Sequence, residues 1–117
     1  MRFIFLVKAT EDSEAAVMPE QKFIDEIQAY AAQLVQAGVA VSGIEVLRPS
    51  SQGFRVAYED GNFSMIEGPF VESKELIAAY WQIEVASKDE AIAWAKRVPF
   101  ANGLVEVRQT YGNPDFS

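Results

Sequence analysis

The sequence contains no cysteine and no histidine. Without cysteine, the chain has no disulfide, no thiolate nucleophile and no Cys-ligated zinc or iron–sulfur cluster. Without histidine, it has no imidazole acid or base, and neither a Ser–His–Asp triad nor a histidine metal triad can be formed. Any catalysis therefore has to come from carboxylates, Lys, Arg, Tyr, Ser or a bound cofactor.

Positive charge is also scarce, since 10 Lys and Arg stand against 17 Asp and Glu and give a net charge of −7. The basic residues are scattered, so the clustered charge that nucleic acid and anionic membranes require is missing. No apolar run approaches the roughly 20 residues that span a bilayer. With no export signal at the N-terminus, we expect a cytoplasmic protein of one domain, residues 1–117.

Hydrophobic spacing predicts the elements of the first half. The apolar stretch 2–8 predicts a strand that is covered on both faces. Residues 10–18 are polar and Ala-rich without periodicity, which favours a loop. Apolar residues three and four apart then predict a helix over 19–37. Residues 39–47 predict a second strand, kinked at Gly43.

The second half contains a hairpin signal followed by an alternating strand. Two apolar stretches, 54–58 and 63–66, flank the pair Asp60-Gly61, which is typical of a tight β-turn. Residues 80–85 alternate between apolar and more polar side chains. Trp81, Ile83 and Val85 therefore point to one face of a predicted strand, and Tyr80, Gln82 and Glu84 to the other. The capping pattern Ser87-Lys88-Asp89-Glu90 then predicts the start of a second helix, and residues 104–108 predict a last strand.

The predicted element order favours an α+β fold: a ferredoxin-like antiparallel sheet with two helices on one face and an inserted β-hairpin. Two helices cover only one face of that sheet. Because the first strand is apolar on both faces, the other face needs a cover. A second copy of the sheet would provide it, which predicts a homodimer with a cavity between the sheets.

The segment Glu67 to Glu75 has the sequence EGPFVESKE and resembles the DGPFAETKE signature of the DGPF branch of the YCII-related (YciI-like) family. The resemblance extends over nearly the whole chain. The other matching segments are the early predicted helix that ends at Gly38 and residues 45–50, 60–61, 80–85, 89–95 and 103–108. The sequence departs from the family pattern in having Glu67 for Asp, in having Ala78-Ala79 where Gly is usual, and in lacking the His of the YciI branch.

The resemblance implies a ferredoxin-like fold that forms a dimeric α+β barrel with a polar pocket and no generally established reaction. Members of the DGPF branch often accompany extracytoplasmic-function sigma factors. One divergent relative acts as a dehydrochlorinase on an aromatic hydroxyquinone. Because no His is present, the His–Asp mechanism proposed for the YciI branch does not carry over to this chain.

Candidate acid–base residues lie in the signature segment. Glu67, near apolar side chains, is a candidate general base, although a carboxylate before a turn also serves to accept backbone N–H groups. Glu72 is a second candidate for moving a proton, and Lys74 for binding an anionic group. The alternative for Glu72, Lys74 and Glu75 is a solvated ion-pair network around a turn.

Four residues in predicted strands are candidates for substrate binding. Arg55 and Arg108 would hold a carboxylate bidentately if they faced inward, whereas pairing with Glu45 or Glu106 is the alternative. Tyr58 and Tyr80 would donate to an oxyanion, or else serve in packing.

No cofactor or metal is expected, because phosphate-cradling loops and dinucleotide fingerprints are absent and the Asp60-Gly61-Asn62 turn is too short for an EF-hand. The sequence thus predicts a homodimer that binds a small organic molecule or catalyses lyase- or isomerase-like proton transfer, without nucleic acid or membrane partners. The alternatives are a non-catalytic ligand-binding or regulatory module, linked to a sigma factor, and a cofactor-free oxygenase, which rests on fold analogy alone.

Overall fold

A computed structural model of the chain describes residues 1–70 and 75–112. Within these residues, the chain forms six strands, three α-helices and one 3₁₀ helix. In chain order they are β1 (Arg2–Lys8), α1 (Glu11–Glu14), α2 (Gln21–Gln36), β2 (Glu45–Val46), the 3₁₀ helix (Ser50–Gln52), β3 (Phe54–Glu59), β4 (Asn62–Glu67), β5 (Ile77–Glu84), α3 (Lys88–Lys96) and β6 (Val105–Gln109).

The main sheet has four strands in the order β2-β5-β1-β6, and each neighbouring pair is antiparallel. In the central register, Phe5 of β1 lies between Trp81 of β5 and Val107 of β6. Residues of α2 and α3 pack on the face that carries Phe5 and Trp81. The predicted α+β fold with an antiparallel sheet is therefore confirmed. No helix of the described residues is long and apolar enough to cross a bilayer.

The hydrophobic core lies between these two helices and one face of the sheet. Its members are Phe3, Phe5, Tyr30, Leu34, Trp81, Ile83, Val85 and Ala91. The Tyr30 hydroxyl donates to the backbone oxygen of Trp94 at 2.9 Å, which satisfies the polar atom of this buried ring. Burial raises the pKa of Tyr30 to about 12. The alternation of β5 is confirmed, because Trp81 and Ile83 are buried while Tyr80 lies on the opposite face.

Two segments differ from their prediction. Residues 10–18 are not only a loop, because α1 forms there and is capped reciprocally by Thr10 and Ser13. The second strand does not extend over 39–47. The Ser42 hydroxyl accepts the Gln82 N–H at 3.1 Å, so a side chain takes the place of a backbone acceptor and the ladder is interrupted before β2.

The β3–β4 hairpin forms a two-stranded sheet of its own. Asp60 and Gly61 both have positive φ, 50° and 81°, as the tight turn requires, and the predicted hairpin is confirmed. One face of the hairpin carries apolar side chains, which are exposed except for the half-buried Val56. We call it the hairpin apolar face, and its members are Phe54, Val56, Tyr58, Phe63 and Met65.

The chain is flat, with extents of 46 × 44 × 18 Å and a radius of gyration of 16.3 Å. A compact domain of this length has a radius of gyration of about 13 Å. The difference is consistent with a hairpin that contributes little to the main core. None of the core residues comes from β3 or β4.

Candidate functional site

A cavity of about 280 Å³ lies at the base of the hairpin, beside the 3₁₀ helix and the start of β5. We call it the hairpin groove. Its volume lies near the lower end of the range for small-molecule pockets, roughly 300–1,000 Å³. The lining side chains combine carboxylates, guanidinium groups and apolar groups: Glu14, Leu47, Arg48, Ser50, Arg55, Phe70, Glu75, Leu76 and Ile77.

The Glu14 carboxylate joins α1 to the 3₁₀ helix. Its Oε2 accepts the Ser50 N–H at 2.9 Å, and its Oε1 accepts a hydrogen bond from the Ser50 hydroxyl. The capping box of α1 holds this short helix in place, since the Ser13 N–H donates to the Thr10 Oγ1 at 3.1 Å and the Thr10 N–H to the Ser13 Oγ at 2.8 Å. The carboxylate orientation is thus fixed by backbone and side-chain contacts together.

Ser50 also joins the end of β4 to the groove. Its hydroxyl oxygen accepts the Phe70 N–H at 3.1 Å, while the Gly68 N–H donates to the Gly53 oxygen at 3.0 Å. A Cβ at position 68 would lie 1.7 Å from the Ser50 carbonyl oxygen, so this approach requires glycine. We call the set Glu14–Ser50–Phe70 the relay; it ties three distant segments together.

Two guanidinium groups lie along the hairpin groove. The Arg55 guanidinium carbon lies 3.8 Å from the centroid of the Phe70 ring, within cation–π range. The Arg48 Nη1 donates to the Gln52 Oε1 at 3.2 Å, which orients the second guanidinium. Opposite charges therefore line a single small cavity whose remaining walls are Ser50 and apolar residues.

Of the predicted site residues that the structure describes, Arg55 alone lines the groove. Glu67 pairs with Phe54 across the hairpin, so its side chain lies on the hairpin apolar face, whereas Arg55 lies on the other face. Glu67 is exposed at the end of β4. Glu72 and Lys74, the other two signature candidates, fall outside the described residues.

Tyr80 and Arg108 lie on the open face of the main sheet. Tyr80 is half-buried and pairs in register with Leu6 and Glu45, and Arg108 is exposed opposite Ile4. Neither residue lines the groove. The structure therefore separates the predicted candidates into the groove, the hairpin apolar face and the open sheet face.

Sequence reasoning missed Glu14, Arg48 and Ser50 as site residues. Glu14 and Ser50 are separated by 36 positions, and their contact depends on tertiary packing. One signal was available, because residues 45–50 belong to the segments that resemble the family pattern. Within residues 1–70 and 75–112, no three carboxylates converge into an arrangement that could hold a metal ion.

The fold and the groove define a small α+β domain with a mixed-charge cavity beside an inserted hairpin. Residues 1–111 match the family profile of the YCII-related domain, so the chain belongs to that family.

The chain is 28% identical over 92 residues to an uncharacterised protein of Rhizobium meliloti (strain 1021), covering 76% of this chain and 73% of that protein. Among solved structures, it is similar to a 5-chloro-2-hydroxyhydroquinone dehydrochlorinase from Burkholderia phenoliruptrix AC1100 in complex with 2,5-dihydroxybenzoquinone. That likeness has 19% identity and a TM-score of 0.44, and covers 97% of this chain and 98% of the other.

Proposed function

We propose that this YCII-related domain binds a small organic molecule in the hairpin groove and transfers a proton to or from it through Glu14. The observation that carries the proposal is the relay. A carboxylate and a hydroxyl are hydrogen-bonded to each other inside a cavity that also holds the Arg48 and Arg55 guanidinium groups. This assignment moves the acid–base role from Glu67 to Glu14, while the role of Glu72 stays a prediction.

The proposed reaction is lyase- or isomerase-like. The Glu14 carboxylate takes a proton from a carbon of the substrate and becomes a carboxylic acid, and the electron pair of the broken C–H bond stays on the substrate. In an isomerisation the same proton returns to another carbon, whereas in an elimination the electron pair expels a leaving group. Positive charge on Arg48 and Arg55 would stabilise the anionic intermediate.

Ser50 has a positioning role in this proposal. Its hydroxyl donates to Glu14 and accepts from the Phe70 backbone, so the carboxylate is oriented before the substrate binds. Because the Ser50 N–H also donates to Glu14, removal of the hydroxyl leaves one hydrogen bond to the carboxylate in place.

The test is exchange of carbon-bound hydrogen for deuterium in D₂O, followed by proton NMR on a panel of small organic acids and ketones. We expect Glu14→Gln to slow exchange by about 10²-fold or more, the usual range for general acid–base catalysis. Ser50→Ala should have a smaller effect. Glu67→Gln is the matched control and should keep the wild-type rate. Wild-type exchange in the Glu14→Gln protein would refute the assignment.

A second candidate function is binding without chemistry. The observation in its favour is that both Glu14 carboxylate oxygens already accept hydrogen bonds from Ser50, as a purely structural contact would. A wild-type protein that binds a panel member but exchanges no hydrogen would favour this candidate, including a regulatory module that acts with a sigma factor.

We further propose that the functional unit is a homodimer of ferredoxin-like sheets that pack face to face as a dimeric α+β barrel. In support, the strand order β2-β5-β1-β6 with α2 and α3 packed on one face is compatible with such a sheet. The open face carries the half-buried apolar residues Ile4 and Leu6. Sedimentation velocity at micromolar concentration should show a dimer, and a monomer would refute this proposal.

A further inference from the structure

We infer that the hairpin groove selects a small hydrophobic monocarboxylate, with its carboxylate on Arg55 and its hydrocarbon body against Leu47, Leu76 and Ile77. This inference rests on the proposed binding of a small molecule at the groove and is independent of proton transfer by Glu14.

The Arg55 guanidinium is held in position for an anion. It lies over the Phe70 ring, and the Phe70 backbone is in turn fixed by Ser50. Within residues 1–70 and 75–112, it forms no ion pair within 4.0 Å. The N–H donors of a guanidinium lie in its plane and match the two oxygens of a carboxylate. The contact with Phe70 therefore leaves the donor edge for a ligand.

The apolar part of the lining determines the body of the ligand. Leu47, Leu76 and Ile77 line the groove together with the Phe70 ring, so much of the cavity offers no hydrogen-bonding partner. A ligand that consists mainly of polar atoms would lose hydration there without compensation. A carboxylate with an apolar body satisfies both parts of the lining.

The two carboxylates of the lining determine the charge of the ligand. Glu14 and Glu75 line the same cavity as Arg48 and Arg55, so the four groups together carry no net charge. A second negative charge on the ligand would lie within reach of Glu14 or Glu75 and be repelled. We therefore expect monocarboxylates to bind more tightly than dicarboxylates or inorganic phosphate.

The experiment titrates the protein with benzoate, phthalate, benzyl alcohol, acetate and inorganic phosphate, and follows amide shifts by NMR. Benzoate should bind saturably, and each of the other four should bind at least about tenfold more weakly, which corresponds to about 1.4 kcal/mol. Arg55→Gln should weaken benzoate at least about tenfold, because a charge-assisted bidentate contact is lost. Arg97→Gln is the matched control, because this exposed guanidinium also lies over an aromatic ring, that of Trp94, but does not line the groove; it should bind benzoate like the wild type.

Arg55→Lys keeps the positive charge but not the planar donor edge, so its loss of benzoate affinity should lie between those of the wild type and Arg55→Gln. This graded loss would not be expected if Arg55→Gln failed to bind only because it is misfolded. Phthalate or phosphate binding as tight as benzoate, or an Arg55→Gln protein with wild-type affinity, would overturn the inference. Benzyl alcohol binding at the groove as tightly as benzoate would overturn it while leaving small-molecule binding intact. If no probe binds but Glu14-dependent exchange is observed, the inference fails and the proposed proton transfer stands.

Discussion

The main sheet and the hairpin pair similar side chains in the same antiparallel way, but with opposite burial. Phe5 and Trp81 face each other in the main sheet and are 0% and 1% exposed, whereas Tyr58 and Phe63 face each other in the hairpin and are 77% and 70% exposed. Cross-strand pairing alone therefore does not bury an aromatic residue. Burial requires a second layer, which α2 and α3 provide for only one of the two sheets.

The two regions are also stabilised differently. The main sheet is stabilised by apolar burial, which at about 25 cal/mol per Å² dominates folding. The base of the hairpin is held by a few polar contacts, among them the relay and the Gly68–Gly53 hydrogen bond. Because Glu14, Ser50 and Phe70 also line the hairpin groove, we expect a ligand bound there to affect the orientation of the hairpin.

The largest loss of stability should come from removing a core aromatic residue. Trp81→Ala deletes a side chain that contacts Phe5 and Tyr30 at ring-centroid distances of 5.2 and 5.8 Å. We expect a loss of about 3–5 kcal/mol in the free energy of unfolding, measured by urea denaturation. The matched hairpin variant, Tyr58→Ala, should cost less than about 0.5 kcal/mol at submicromolar concentration. Equal losses would show that the hairpin is part of the core.

The next effect concerns pH and again separates the two regions. Tyr30 has a folded pKa of about 12 because it is buried, against 10.0 for the ordinary side chain. Between these values the unfolded chain ionises while the folded chain does not, so the stabilisation present below pH 10 is lost as the pH rises toward 12. The free energy of unfolding should fall by about 2–3 kcal/mol over this pH range.

Urea denaturation as a function of pH measures this effect. Tyr30→Phe should flatten the stability profile between pH 10 and 12, whereas Tyr58→Phe in the hairpin should leave the wild-type profile unchanged. A Tyr30→Phe profile with the wild-type slope would contradict the assignment.

A smaller effect is expected at the base of the hairpin. Gly68→Ala places a Cβ 1.7 Å from the Ser50 oxygen, so the backbone has to shift, at a cost of about 1–3 kcal/mol. Gly43→Ala is the control, because no atom lies within 4 Å of a Cβ there and its φ is not positive. Amide shifts should change around Ser50 and Phe70 in the first variant only. A Gly68→Ala protein with wild-type stability and shifts would disprove the close approach.

Local patterns predicted most of the fold. The Asp60-Gly61 turn, the alternation around Trp81 and the cap at Ser87 depend on neighbours along the chain, and all three are confirmed. The extent of the second strand could not be predicted, because it is set by Ser42, whose hydroxyl finds its donor on a residue 40 positions away.

The candidate site was less predictable than the fold. The signature segment directed attention to Glu67, but the hairpin register places that side chain on the same face as Phe54. Arg55 was predicted because a strand arginine is a natural carboxylate partner. Glu14 lies in a segment without periodicity, and only the folded chain shows that it contacts Ser50.

The flatness of the chain has a consequence for its chemistry. The backbone extends over only 18 Å in its thinnest direction, and the hairpin groove includes the exposed residues Leu47 and Arg55 in its lining, so the groove lies close to bulk water. Electrostatic contributions to catalysis grow when water is expelled from a site. A single chain this thin has little interior volume from which to exclude water. Dehydration of the reacting atoms would then depend on the ligand itself or on a second molecule that covers the groove.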